Sequence, residues 1–394
     1  MQQLQDPVLI TVTGRDHPGI TARLTGILAE QDAQLLDIEQ VVVHGQLTLC
    51  LLVQLPEKSI LKELLFAAKE LGVELDFQPV ERAAVVEKSA HGRYVVTAIG
   101  RALGARELQS VAATLAGHGG NIEKIFKLSE GPLRSLEIHL MLPAGKDPDE
   151  LKTELLALAM KSSFDIALQP EGLFRRSKRL VVMDMDSTLI RIEVIDELAR
   201  AHGVVEQVAK ITERAMQGEM DYDESLRQRL RLLEGLDVSV LQKLAAELPL
   251  TEGAETLIRV LKRLGYRTAV ISGGFSVAAE ALKARLGIDY AFSNTLEVKD
   301  GKLTGKVLGS IVNAQRKAEL LETIAQAEGV LLDQTIAVGD GANDLLMLQR
   351  AGLGIAFRAK PKLREAADTS LSASGLDAIL YLLGITAREL QQVL

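Results

Sequence analysis

The chain has 394 residues, of which 47% are apolar and 25% charged, and a net charge of −8 at pH 7. This composition is typical of folded globular domains and argues against disorder, and the length predicts two or three of them. The acidic balance and the scarcity of aromatic residues (3%, no Trp) argue against a nucleic-acid partner.

Targeting and cysteine chemistry are also constrained by the sequence. A single cysteine, Cys50, permits neither an intramolecular disulfide nor a cysteine metal cluster. We see no signal peptide and no apolar run long enough to span a membrane, so we expect a cytoplasmic protein without a membrane partner.

The first 170 residues contain a weak internal repeat. VLITV at 8–12 is matched 86 positions later by YVVTA at 94–98. Apolar patterning in each copy predicts the order strand, helix, strand, strand, helix, strand. The predicted elements lie at 7–13, 19–31, 34–44, 47–55, 58–72 and 74–79, and again at 93–99, 105–117, 121–128, 136–142, 147–162 and 165–169. We therefore predict two βαββαβ ferredoxin-like domains, at 1–84 and 90–170.

The loop after the first strand carries a family resemblance. GRDHPGI at 14–20 resembles the ligand loop of ACT domains, which bind amino acids; Gly19 permits a tight turn before a helix N-terminus. The second copy has GRALGAR there, without the Asp and the Pro-Gly pair, although GGNIEKI at 119–125 fits the family's entry to the second strand. The resemblance implies an effector, L-serine foremost, near Asp16 and Gly19 and facing Asn121 of a partner repeat. It also implies a homodimer formed through the ACT domains; the alternatives are pairing of the two copies within one chain, and copies that only pack and bind no ligand.

From residue 179 the pattern changes to alternating strands and helices, typical of a parallel sheet covered on both faces. Strands are predicted at 179–185, 266–272, 289–293, 335–339 and 353–357, and helices at 253–264, 275–286, 314–328, 341–350 and 361–367. A charged linker is expected at 171–178. A helical insert at about 194–250 is expected to lie over the carboxyl edge of the sheet, where ligands bind in such folds. The predicted fold is α/β: a Rossmann-like domain with a helical cap at 179–394.

Two predicted strands end in carboxylates. RLVVMDMDSTLI at 179–190 runs from an apolar strand into Asp184 and Asp186, and TIAVGDGAND at 335–344 runs into Asp340. Carboxylates at the mouth of a buried strand are costly without a cation or a proton. A hard divalent cation with oxygen ligands resolves this, and Mg²⁺ suits a site with few carboxylates plus phosphate and water.

Two more segments suit a phosphate. AVISGGF at 269–275 ends a strand in Ser272 and Gly273, whose hydroxyl and backbone N–H can hold phosphate oxygens. Taken by itself, Lys317 in NAQRKAELL at 313–321 is typical of a solvated lysine on a helix. Its spacing before the strand predicted at 335–339 favours a role in the site.

Together, DMDST, SGG, Lys317 and GDGAND resemble the four motifs of haloacid-dehalogenase-type phosphotransferases. DSTLIRIE at 186–193 and AMQGEMDYDESLRQRL at 215–230 resemble the phosphoserine phosphatase branch, and the preceding repeats resemble its members with tandem ACT domains. Tyr222 departs from the family pattern, which usually has Phe.

The resemblance implies Mg²⁺-dependent hydrolysis of O-phospho-L-serine through an aspartyl-phosphate, the last step of serine biosynthesis. Asp184 would be the nucleophile and Asp186 the general acid and base, and Lys317 would neutralise developing charge. Substrate contacts would come from Glu193, Arg229, Ser272, Gly273, Lys317 and Asn343. The metal would be held by Asp184, Asp340 and Asp186, the last through its backbone carbonyl. Asp344 either orients Lys317 or a metal-bound water, or is only an acid at a helix N-terminus.

Two alternatives remain open at this point. One is a phosphotransferase, or a phosphatase acting on another small phosphate ester. The other is an amino-acid-sensing regulatory protein with a vestigial catalytic half. The complete set Asp184, Asp186, Ser272, Lys317 and Asp340 argues against the second alternative.

Overall fold

The computed structural model describes residues 6–56, 60–80, 92–101, 103–130, 134–162 and 164–394. The chain divides into unit 1, within residues 1–90, and unit 2, within residues 91–394. Within the described ranges, no helix combines the length and the apolar character that crossing a membrane requires.

Unit 1 has the predicted βαββαβ order. Its elements are β1 (Val8–Arg15), α1 (Ile20–Glu30), β2 (Gln34–Val43), β3 (Gln46–Gln54), α2 (Ile60–Leu71) and β4 (Val73–Pro79). The strands form an antiparallel sheet in the order β2-β3-β1-β4. Every second residue of β3 from Leu47 to Val53 is buried in one core with both helices, as strand alternation requires. β2 is an edge strand, and all ten of its residues are exposed.

The second repeat, in unit 2, has the same order. Its elements are β5 (Gly92–Gly100), α3 (Ala105–Gly117), β6 (Asn121–Lys127), β7 (Ser135–Leu142), α4 (Pro148–Met160) and β8 (Phe164–Pro170). The strand order β6-β7-β5-β8 corresponds to that of unit 1, strand for strand. The predicted repeat is therefore confirmed at the level of fold.

The rest of unit 2 is the predicted α/β domain. Its elements are α5 (Leu173–Arg176), β9 (Leu180–Met183), α6 (Val194–His202), α7 (Val205–Met216), α8 (Tyr222–Arg231), α9 (Val238–Ala246), α10 (Ala254–Arg263), β10 (Arg267–Phe275), α11 (Ser276–Leu286), β11 (Tyr290–Lys299), β12 (Lys302–Leu308), α12 (Ala314–Ala327), β13 (Thr335–Gly339), α13 (Leu345–Arg350), β14 (Gly354–Phe357), α14 (Pro361–Ala366), β15 (Thr369–Leu371), α15 (Ile379–Leu382) and α16 (Ala387–Val393). β9 is central, with β10 and β13 parallel on either side. The carboxyl ends of these three strands therefore lie along one edge.

The helical insert is confirmed as α6–α9, which we call the cap. An isolated bridge between Ile190 and Leu250 closes its base. The β11–β12 hairpin, of which only the start of β11 was predicted, lies against the cap: Leu303 exchanges backbone hydrogen bonds with Gly235 and Leu236. β12 is antiparallel to β11, so it lies outside the alternating pattern that identified the other strands.

One sheet joins the second repeat to the α/β domain. β15 pairs in parallel with β14 and antiparallel with β8, which gives eleven strands in all. The buried Asp165 of β8 accepts hydrogen bonds from the backbone N–H groups of Ser372 (2.7 Å) and Ala373 (3.0 Å). The predicted linker at 171–178 is wrong, because this segment contains α5 and buries the side chains of Arg175 and Lys178.

Arg175 is buried by a charged contact with β7, whereas Lys178 donates from Nζ to the carbonyls of Asp333 and Gly352. The fully buried Glu137 accepts hydrogen bonds from Nη2 of Arg175 (2.5 Å), Nη2 of Arg176 (3.2 Å) and Nε2 of His139 (2.6 Å). Burial alone would raise the pKa of Glu137, but Arg175, together with His139 and Arg176, outweighs it and holds the pKa below its ordinary value. The charges of Arg175 and Arg176, which suggested a solvated linker, instead hold α5 against the second repeat.

We predict that Arg175→Met destabilises unit 2 by about 3 kcal/mol, because it leaves the buried Glu137 carboxylate without its main partner. Urea denaturation measures the loss. The control is Arg214→Met, which breaks the exposed Arg214–Glu219 pair and should cost less than about 1 kcal/mol. Equal losses in the two variants would contradict the assignment.

The same pair has a defined pH dependence. Since folding lowers the pKa of Glu137, its stabilising effect is complete above the ordinary value of 4.5 and is lost as the pH falls through the folded value. The difference between wild type and Arg175→Met should therefore shrink on acidification.

Candidate active site

The carboxylates predicted at two strand ends meet at the carboxyl edge of the sheet. Asp184 follows β9 and Asp340 follows β13, and the N–H of Asp184 donates to the carbonyl of Val338 at 2.9 Å. Oxygens of Asp184, Asp340 and Asp344 all lie within 4.8 Å of one another. Thr188 donates from its hydroxyl to Oδ1 of Asp340 at 3.2 Å. Parallel pairing of neighbouring strands thus produces the cluster.

Asp186 is turned away from this cluster. Ser187 has a left-handed backbone (φ 57°), and the turn over Met185–Leu189 closes with a hydrogen bond from Ile190 to Met185. Oδ1 of Asp186 accepts from the N–H of Val194 (2.8 Å) and Oδ2 from the hydroxyl of Ser272 (3.1 Å). The third carboxylate of the cluster is therefore that of Asp344, and a metal contact through the Asp186 backbone carbonyl stays a prediction.

Lys317 lies at the centre of the site and is fully buried. Its Nζ is 2.8 Å from Oδ1 of Asp184 and 2.6 Å from Oδ1 of Asp344. Oδ2 of Asp344 accepts from the N–H groups of Asp340 (3.1 Å) and Gly341 (3.0 Å). Of the roles that the sequence left open for Asp344, these contacts support the orientation of Lys317.

The electrostatics of the site follow from burial and crowding. Burial, together with the charge of Asp344, raises the pKa of Asp184 well above its ordinary value. Burial and the charge of Glu193 raise the pKa of Asp186 to about 7, and burial and the charge of Asp344 raise that of Asp340 to about 7. Burial lowers the pKa of Lys317, but Asp184 and Asp344 outweigh it and leave the pKa above its ordinary value.

One lysine does not neutralise the charge of these carboxylates. The atoms that they offer to a metal ion are all hard oxygen ligands. That donor set fits a divalent metal ion, which would remove the excess negative charge. Oxygens of Asp184 and Asp340 lie in the cluster where such an ion would be held.

The end of β10 supplies the predicted phosphate loop. Ser272 is fully buried and accepts from the N–H of Gly274 at 2.8 Å. A Cβ on Gly273 would lie 2.0 Å from the Tyr222 hydroxyl, and one on Gly274 would lie 2.4 Å from Oδ2 of Asp186. Only glycine fits at these two positions without displacing its neighbours.

The remaining predicted substrate residues come from three other segments. Glu193 precedes α6 and accepts from the hydroxyl of Ser187 at 2.7 Å. Arg229 is half-buried on α8, and its Nε lies 3.4 Å from the carbonyl of Ser225. Asn343 is in the turn Ala342–Asp344.

Asn294 of β11 is a site residue that sequence reasoning missed. It is 1% exposed, and its Nδ2 donates to the carbonyl of Gly273 at 2.7 Å. Nothing local marks it, because a single asparagine in a strand has no distinctive spacing.

The predicted effector residues lie in different parts of the structure. Asp16 and Gly19 are in unit 1, where Gly19 adopts a left-handed backbone (φ 103°) before α1. Asn121 begins β6 of unit 2. Each residue is at the loop or strand start where the sequence predicted it.

Comparison with known proteins places the site in a class. Residues 178–352 match the family model of haloacid dehalogenase-like hydrolases, and residues 6–78 and 89–169 match ACT-domain models. With this sheet, cap and carboxylate edge, unit 2 contains a haloacid dehalogenase-like hydrolase domain.

Relatives narrow the class further. The chain is 45% identical to phosphoserine phosphatases from Streptomyces coelicolor (98% of this chain, 93% of the relative) and Mycobacterium tuberculosis (98% and 94%). A solved phospho-aspartyl intermediate analogue of phosphoserine phosphatase is 50% identical over 52% of this chain and 98% of that one, with a TM-score of 0.50. The chain belongs to the phosphoserine phosphatase family.

We predict that Lys317→Met destabilises the metal-free protein by roughly 3–5 kcal/mol, since two buried carboxylates lose their shared cation. A divalent cation, added as Mg²⁺, should restore part of the loss. Urea denaturation in chelator and in Mg²⁺ tests both points.

The control for this variant is Lys283→Met, which removes the exposed Lys283–Glu280 pair. We expect it to change stability by less than about 1 kcal/mol. If the two lysine variants behaved alike, Lys317 would not be the internal counter-charge of the site.

Proposed function

We propose that the protein hydrolyses O-phospho-L-serine to L-serine and phosphate with Mg²⁺, through an aspartyl-phosphate on Asp184. The observation that carries this proposal is the buried array of Asp184, Lys317 and Asp344 beside a glycine phosphate loop. Phosphoryl transfer depends chiefly on positioning and charge neutralisation, and this array supplies both.

Asp184 is the nucleophile in this proposal. Its Oδ1 accepts from the N–H of Met185 at 2.8 Å and contacts Lys317. Since Oδ1 is held by these donors, we assign attack on phosphorus to Oδ2, and the bond from phosphorus to the serine oxygen breaks. A related solved structure carries an analogue of a phospho-aspartyl intermediate, which supports the assignment.

Asp186 is the general acid and base in this proposal. It is held by Ser272 and by the N–H of Val194, and a pKa raised to about 7 suits a group that gives and takes protons near neutral pH. It would protonate the departing serine oxygen and then take a proton from the water that attacks the aspartyl-phosphate.

The phosphoryl group and the metal have distinct ligands. Ser272 and the N–H of Gly273 would hold phosphoryl oxygens, and Lys317 would neutralise their growing charge. Asp184 and Asp340, with the Asp186 backbone carbonyl, would hold Mg²⁺, which supplies further positive charge when bound.

Recognition of the amino-acid part falls to the cap. Glu193 would pair with the substrate ammonium and Arg229 with its carboxylate, for which a guanidinium offers a two-pronged contact. Asn343 would lie close to the phosphate. A substrate with one cation and one carboxylate besides its phosphate suits these charges.

The ACT domains would make the protein a regulated homodimer. β2 exposes six apolar side chains, each 40–59% accessible: Leu35, Leu36, Ile38, Val41, Val42 and Val43. An apolar edge strand is a liability unless another chain covers it. A second copy offers the same edge, and L-serine bound near Asp16 and Gly19, facing Asn121 of a partner repeat, would provide feedback.

We predict that Asp184→Asn abolishes phosphate release from phosphoserine, because the near-isosteric amide cannot attack phosphorus. A panel of phosphoamino acids, assayed with Mg²⁺ and with chelator, should show phosphoserine as the best substrate and no turnover without metal. Asp333→Asn, at a carboxylate away from the site, is the control. Activity above a few per cent in Asp184→Asn, or a better substrate in the panel, would contradict the proposal.

We predict a dimer in light scattering at micromolar concentration, and a monomer for Val41→Lys with Val43→Lys. Val298→Lys, which alters an exposed valine of unit 2, should leave the dimer intact. Calorimetry with the active site blocked by a phosphate analogue should give heat with L-serine, lost in Asp16→Ala. A monomeric wild type would refute the dimer, and absence of heat would refute the effector site.

A further inference from the structure

The first two residues of α8 connect the cap to two different loops of the α/β domain. The Tyr222 hydroxyl donates to the carbonyl of Gly273 at 3.3 Å. Oδ1 of Asp223 accepts from Nδ2 of Asn313 at 3.1 Å. Adjacent cap residues therefore contact both loops at once.

Each of these loops places a group that acts on the phosphoryl group. Gly273 follows Ser272 in the phosphate loop. Asn313 is the N-cap residue of α12: its Oδ1 accepts from the N–H of Arg316 (3.1 Å), and its carbonyl accepts from the N–H of Lys317 (2.9 Å). A shift of Asn313 would therefore shift the start of the helix that carries Lys317.

The two loops are also joined to each other beneath the cap. The buried Asn294 donates to the carbonyl of Gly273 and accepts from the N–H of Val312 at 2.9 Å. Tyr222 and Asn294 thus share one acceptor, the Gly273 carbonyl. Cap, phosphate loop and the start of α12 form one hydrogen-bonded set.

The fit between Tyr222 and the phosphate loop is close. The tyrosine oxygen occupies the space that a Gly273 side chain would fill. Burial raises the pKa of Tyr222 to about 12, so its hydroxyl keeps its proton and remains a donor.

We propose that Tyr222 and Asp223 are positioning residues that couple the seating of the cap to the alignment of the phosphate loop and of Lys317. The inference rests on the proposed phosphatase activity and adds to it a role for two residues that need not touch the substrate. When the cap is docked on the α/β domain, the two contacts hold the two loops in the correct relative position. Loss of either contact leaves the reacting groups less well aligned.

The test is the single-turnover rate with enzyme in excess, which removes product release from the measurement. Tyr222→Phe and Asp223→Ala should each lower this rate by about three- to tenfold, the value of one hydrogen bond. Because the contacts act on the phosphoryl site, the loss should be the same for phosphoserine and for p-nitrophenyl phosphate, with the dissociation constant changed less than about twofold. Arg229→Ala should instead affect phosphoserine selectively.

Three control variants separate positioning from other effects. Tyr290→Phe removes a tyrosine hydroxyl that donates to Glu328, the residue after the last turn of α12, and should leave the rate unchanged. Asp223→Asn keeps an acceptor for Asn313 and should restore the wild-type rate. Arg227→Ala removes the partner of the 4.0 Å Asp223–Arg227 ion pair and should have no effect.

Three outcomes would overturn the coupling. A rate within twofold of wild type in both Tyr222→Phe and Asp223→Ala means that the contacts do not position the reacting groups. A loss confined to phosphoserine means a substrate contact, and Asp223→Asn as slow as Asp223→Ala means a charge effect. If wild type does not hydrolyse phosphoserine but turns over p-nitrophenyl phosphate, the proposed substrate fails while the coupling can still be tested.

Discussion

The arrangement of the catalytic edge depends on one buried cation. Lys317 is shared by Asp184, at the end of β9, and Asp344, which binds the turn after β13. Without it, two carboxylates would face each other in a space closed to solvent, which is unfavourable unless one is protonated. The ion pairs thus fix α12 against two strands and hold the Asp184 carboxylate in place.

Much of the fold and the chemistry of its edge could be predicted from the sequence, because the signals are local. Apolar runs of strand length ending in Asp184, Ser272 and Asp340 show both the strand and its functional end, and parallel order brings the ends together. Asp344 and Lys317 show the limit of this reasoning: residue type and spacing placed them nearby, but only packing decides which carboxylate contacts the lysine.

What could not be predicted depends on partners distant in sequence. β15 has three residues, too few for a periodic signal, and exists because β14 and β8 lie beside it. α5 appeared as a charged linker because its partner Glu137 is 38 positions away. Asn294 has no local signature at all, because its role is to join two loops by hydrogen bonds to Gly273 and Val312.

The single sheet through both parts of unit 2 has a consequence for synthesis on the ribosome. Ile166 of β8 is made 203 residues before Thr369, whose hydroxyl donates to it. At a synthesis rate of roughly 5–20 residues per second, about 10–40 s pass between the synthesis of β8 and that of β15. During that interval β8 is paired with β5 on one side, and its other edge has no neighbouring strand. The edge is therefore covered only by a strand, β15, that is made some 200 residues later.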